Sequence, residues 1–90
     1  MRVVVSSLGK PLNQQILSYA EYRIYSTLST HDDVVNAHVS LSNDNNEVQC
    51  RVQVTRRASD AIETRTSGSY AAAAINRAAE RVAALLEHAD

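Results

Sequence analysis

The sequence predicts an α+β sandwich of order β-α-β-β-β-α, with two helices packed on one face of a four-stranded sheet. Three observations predict it. Residues 34–42 and 47–55 alternate apolar and polar side chains, as strands covered on one face do. Residues 12–29 and 70–88 instead repeat apolar side chains at helical spacing. Only two glycines and one proline interrupt the 90 residues, so the elements are long and their ends are easy to place.

The first strand is Arg2 to Leu8, apolar and β-branched, closed by Gly9-Lys10-Pro11. Pro11 suits an early helical position, where its missing N–H would have no partner anyway. In the helix from Leu12 to about Ser29, the residues Ile16, Leu17, Ala20, Ile24 and Leu28 share one face, and Thr30-His31-Asp32-Asp33 ends it. The second strand points Val35, Ala37, Val39 and Leu41 inward and Asn36, His38, Ser40 and Ser42 outward. Asn43-Asp44-Asn45-Asn46 is a turn by its chemistry, because Asn and Asp tolerate positive φ and bond their own backbone. The third strand points Val48, Cys50, Val52 and Val54 inward. Arg56-Arg57-Ala58-Ser59 connects to a weaker fourth strand, Asp60 to Thr66. Ser67-Gly68-Ser69 then opens the last helix, with a serine as its N-cap. The Ala-rich run from Tyr70 to about His88 has high helix propensity. Its buried stripe is Ala71, Ile75, Ala78, Val82, Leu85 and Leu86.

The length fits one domain spanning residues 1–90, and 44% apolar with 21% charged residues is a globular composition. A single cysteine excludes an internal disulfide framework and fits a reducing, cytoplasmic setting. No apolar run approaches the roughly 20 residues of a membrane span, and the first residues lack a secretory h-region. Nine basic against ten acidic side chains exclude a generally basic nucleic-acid binder, so any such role rests on local clustering.

No catalytic constellation emerges. With two glycines, the backbone motifs that cradle phosphate cannot be built. His31, His38 and His88 fall on a loop, a strand and a helix end, without metal-ligand spacing. Cys50 reads as a buried, inert thiol. Glu47 and Glu63 could face each other across the outer sheet surface, but exposed carboxylates make no acid–base pair. Arg56-Arg57-Ala58-Ser59 has the basic-basic-x-Ser pattern of a kinase site, but such tetrapeptides are common by chance and a solvated hairpin loop accounts for it better. Thr66-Ser67-Gly68-Ser69 could hold phosphate at a helix N-terminus, although capping alone explains it. No enzyme activity and no cofactor or metal is therefore expected.

The helix surfaces are more informative. At about 100° per residue, Tyr70, Arg77, Arg81 and His88 lie along one flank of the last helix, while Asn76, Glu80 and Glu87 lie on the other edge. On the first helix Arg23 borders the apolar face, and Tyr22 and Tyr25 point away from the core. Exposed tyrosines can stack on bases or anchor a partner. The outer sheet face carries no aromatic residue, which excludes stacking of the RNA-recognition-motif kind.

The element order, the segment Ala73-Ala74-Ile75-Asn76-Arg77-Ala78-Ala79-Glu80-Arg81-Val82 and the hairpin Val35–Ser42 with Val48–Val54 together resemble the ribosome hibernation promoting factor family. That family is also called ribosome-associated inhibitor, ribosomal subunit interface protein or sigma-factor modulation protein. The resemblance covers nearly the whole chain, which corresponds to the short form or an isolated N-terminal domain. It implies a β-α-β-β-β-α fold and a non-enzymatic, cytoplasmic stress-response factor. Such a factor binds small-subunit RNA in the channel used by messenger and transfer RNA and blocks translation. Arg81 matches a position usually basic in the last helix, and Arg77 one that is arginine in some branches. His88 stands where a lysine is common, and Ala84 where another basic residue often stands. Aligning Ile75 places Ala72 at the family's tyrosine and leaves Tyr70 two positions early, so the chain is a divergent relative.

The expected contacts with ribosomal RNA are therefore Arg77, Arg81, Arg23 and His88, with Tyr22 and Tyr25 nearby. The near-neutral charge limits affinity, since phosphate binding scales with the number of Lys and Arg contacts. The alternative is a protein-interaction or weakly self-associating module that kept the fold and lost the RNA surface.

Overall fold

The computed structural model describes residues 1–9, 12–44 and 46–88, with His88 described in its backbone only. Pro11 and Asn45, placed by the sequence at the start of the first helix and in the Asn-rich turn, lie outside the described residues, and the first helix begins at Gln14 rather than Leu12, after Asn13 caps it. The elements run β1 (Arg2–Leu8), α1 (Gln14–Leu28), β2 (Val34–Asp44), β3 (Glu47–Arg56), β4 (Ile62–Gly68) and α2 (Ala71–His88). The sheet order is β1-β2-β3-β4. β1 pairs parallel with β2 across the α1 crossover, and the other two pairings are antiparallel.

Alternation turns one face of this sheet into a wall. Ala37, Val39 and Leu41 of β2 and Val48, Cys50, Val52 and Val54 of β3 are buried beneath Ala20, Ile24 and Leu28 of α1 and Ala74, Ile75, Ala78 and Val82 of α2. Both helices thus lie on the apolar side, and the other side of the sheet is polar. No helix among the described residues is long and apolar enough to cross a membrane.

Five local expectations are corrected. Val35 faces out, 41% exposed, and Val34 is buried in its place. The β2–β3 register shifts between Val34 and Asn36, and this one-residue irregularity reverses the side-chain phase. β4 begins at Ile62 rather than Asp60 and runs on through Gly68, which pairs with Val48, so the expected Ser67-Gly68-Ser69 cap is largely strand. α2 starts at Ala71, with the Tyr70 carbonyl accepting from Ala74 N. Leu85 is 37% exposed, at the margin of the apolar stripe of α2. Glu63 stands opposite Gln53, whereas Glu47 pairs with Asp44 at the hairpin end, so the two glutamates do not face each other.

Candidate nucleic-acid interface

α1 begins where Asn13 caps it, its side-chain oxygen accepting from Ile16 N at 2.9 Å. The phase fixed there turns Tyr22 and Tyr25 outward, 69% and 50% exposed, and turns Tyr19 toward α2. The Tyr19 hydroxyl donates to Asn76 Oδ1 at 2.6 Å, and Arg23 Nε donates to the same oxygen at 3.3 Å. Arg23 Nη1 also donates to Thr27 Oγ1 at 3.1 Å. Arg23 is thus half-buried in the seam between the helices, with part of its guanidinium committed to holding that seam.

Asn76 faces α1, so the next residue, about 100° further round the helix, faces the opposite flank. Arg77 accordingly reaches β4, where its Nη1 donates to Ser67 O at 2.6 Å. Arg81, one turn on, is exposed and has no hydrogen-bond or ion-pair partner among the described residues. The sorted flanks expected from the sequence are present, Asn76 against α1 and Arg77 against β4. Five of the six expected contact residues nevertheless occupy three places. Arg77 and Arg81 lie along β4, Arg23 lies in the helix seam, and Tyr22 and Tyr25 crown α1. The His88 side chain lies outside the described residues.

The polar side of the sheet carries a second charged group. Arg51 donates through Nε to Glu63 Oε1 at 2.8 Å and pairs with it through Nη2 at 2.6 Å. Gln53 donates to the same oxygen, while Arg65 approaches Glu63 Oε2 only at 3.6 Å. The Arg51 hydrogen bond, and then the charges of Arg51 and Arg65, hold the Glu63 carboxyl below its ordinary range. An open cleft of about 440 Å³ beside this group is lined by Ser40, Ser42, Gln49, Arg51, Arg65 and Ser67, among others.

These groups suit binding rather than bond making. Burial pushes the Cys50 thiol up to about 12, which keeps it protonated and unreactive near neutrality. Ser6 Oγ and His38 Nε2 are 3.0 Å apart on the open sheet face, and no carboxylate among the described residues bonds the other ring nitrogen. Among the described residues no three His, Cys, Asp or Glu side chains converge. Sequence reasoning passed over two participants. Tyr19 is linked to its partner only through a contact 57 residues away. Arg65 lies within the expected fourth strand on the same outward face as Glu63, but its ion pair with Glu63 is evident only from the structure.

No family model matches the chain, and no curated protein matches it in sequence. Solved structures do match its fold. A ribosomal subunit interface protein from Coxiella burnetii superposes with a TM-score of 0.86 at 11% identity, covering 97% of this chain and 94% of that one. The N-terminal domain of Protein Y from Thermus thermophilus superposes with a TM-score of 0.75 at 19% identity, covering 92% and 89%. At these identities what is shared is the fold, which is the fold that the sequence resemblance implied.

Proposed function

We propose that this protein is a ribosome-associated factor that binds RNA of the small subunit and restrains translation in resting or stressed cells. The observation that carries this reading is the likeness, over 97% of the chain, to a ribosomal subunit interface protein. Its work is binding, in the cytoplasm, without a cofactor. Arg77 and Arg81 meet RNA phosphate, the exposed part of Arg23 contributes from the helix seam, and His88 extends the same helix. Tyr22 and Tyr25 offer ring faces to unstacked bases.

The test is sedimentation with purified ribosomes. The protein should travel with the particles at about 50 mM salt and be largely released at about 200 mM, because each phosphate contact adds to the salt dependence. Replacing Arg77 and Arg81 by Ala should weaken binding more than replacing Arg56 and Arg57. Protein that stays free of ribosomal particles at the lower salt overturns the reading.

One observation favours a second reading, a protein-interaction or self-associating module. The helix layer balances three arginines (Arg23, Arg77, Arg81) against three glutamates (Glu21, Glu80, Glu87), so it carries no net charge. Association through that layer would change little with salt, whereas phosphate binding falls steeply.

A further inference from the structure

The geometry points to a basic ridge formed by Arg65, Arg77 and Arg81 around the open edge of β4, and we infer that it holds the phosphodiester backbone of an RNA strand. This inference rests on the RNA-binding reading above and adds to it a residue from the sheet.

β4 ends the sheet, and α2 returns antiparallel along it after a short turn. Two hydrogen bonds fix the relative level of strand and helix. Thr66 Oγ1 donates to Ala74 O at 2.8 Å, and Arg77 Nη1 donates to Ser67 O at 2.6 Å. From that level Arg81 lies one helical turn onward, about 6 Å. Arg65 lies two strand residues back in the same direction, about 6.7 Å. Arg81 on the helix flank and Arg65 on the outer sheet face therefore lie on either side of the edge strand, each within about one helical turn or two strand residues of the Arg77–Ser67 contact.

Arg65 is only loosely paired: Glu63 is held by Arg51 at 2.6 Å, while Arg65 reaches its other oxygen at 3.6 Å with 72% of the Arg65 side chain exposed. Glu80 lies about 100° round the helix from Arg81. Asp44 and Glu47 line an open cleft beside Arg77, toward the β2–β3 hairpin, but neither is within ion-pair distance of it. Arginines four apart on a helix repel, and a third nearby adds to that cost. A polyanion lying along the ridge relieves the repulsion.

An acidic peptide adding a fifth strand is the competing occupant. Arg77 argues against it, because its side chain already fills a backbone acceptor of the edge strand and is wedged against it. The arrangement obstructs strand pairing at that acceptor while keeping the positive charge outward, which suits phosphate.

The test measures full-length protein on two probes at several salt concentrations, purified small ribosomal subunits and a 20-nucleotide oligouridylate. Arg65→Ala should weaken binding to both about three- to tenfold and reduce the salt slope by about one contact. Arg57→Ala, at the other end of β4, should change neither. Subunit binding that is unaltered in affinity and slope by Arg65→Ala overturns the ridge and leaves the ribosome reading standing. Oligouridylate binding that depends on Arg65, without subunit binding, supports the ridge and overturns the ribosome reading. Binding to neither probe, or Arg65-dependent binding of an oligoglutamate peptide in place of RNA, overturns the ridge.

Discussion

The two open edges of the sheet pose the same physical problem and meet it differently. Both β1 and β4 leave backbone N–H and C=O groups on their outer side. β4 is anchored, with Ile62, Thr64 and Gly68 buried under α2, and arginines from both layers surround it. No residue of β1 is buried. Val3, Val5, Ser6 and Ser7 are only half-covered, Val4 and Leu8 are 41% and 57% exposed, and Val3 to Leu8 carry no charge. One edge is locked and positive while the other is loosely covered and apolar. The proposed ridge would set a polyanion on the β4 side, and the uncharged run Val3–Leu8 would leave the β1 side to an apolar contact.

The largest effect should come from unlocking β4. A Cβ on Gly68 would lie 2.9 Å from both Ala73 Cβ and Ala74 N, and the second of these is helix backbone that cannot swing aside. Gly68→Val should therefore push α2 off the strand, at about 1–3 kcal/mol or more. In a domain of this size that lowers the melting temperature by several degrees or more. It should also weaken RNA binding beyond the loss of stability, since α2 carries Arg77 and Arg81 across from Arg65. A melting temperature equal to wild type would mean that the close approach does not set the position of α2.

A smaller effect, of opposite sign, is expected at the middle of the same strand. Thr64 is 4% exposed, and its hydroxyl has no hydrogen-bond partner among the described residues. Thr64→Val keeps the shape and removes the unpaired oxygen, so it should stabilise by about 1 kcal/mol. Thermal or urea unfolding measures this directly. A loss of stability would show that the hydroxyl has a partner such as buried water, and that the anchoring of β4 is partly polar.

The contrast between the edges also separates what could be read from sequence from what could not. The β2–β3 hairpin was legible because period-two alternation and Asn-rich turn chemistry agree there. The arginine flank of α2 was legible because 100° steps alone place Arg77 and Arg81 together. β4 was placed two residues early, since Glu-Thr-Arg-Thr-Ser-Gly carries little hydrophobic alternation and its bounds come from pairing with β3. Arg65 falls inside the expected strand, two residues from Glu63 and on the same face, and no local signal sets it apart from the other exposed arginines. The inversion at Val35 arises from one inserted residue, which leaves no trace in composition. Arg23 was placed correctly at the border of α1, but its hydrogen bond to Asn76, 53 residues away, depends on how the helices pack. Local pattern therefore gave the elements, and long-range pairing decided which charges remain free.

The smallest expected change in stability lies on the other edge. Val4→Lys replaces a 41% exposed apolar side chain on the outer face of β1, so stability should shift by no more than about 0.5 kcal/mol. If the apolar edge is a protein contact, wild-type protein should gain mass with concentration in light scattering. Val4→Lys should abolish that gain, because an edge lysine opposes strand pairing. Arg65→Ala should leave self-association intact while weakening RNA binding, and Val4→Lys should do the reverse. If one substitution alters both properties, the edges share a single interface, and the division between a positive, locked β4 and an apolar, open β1 does not hold.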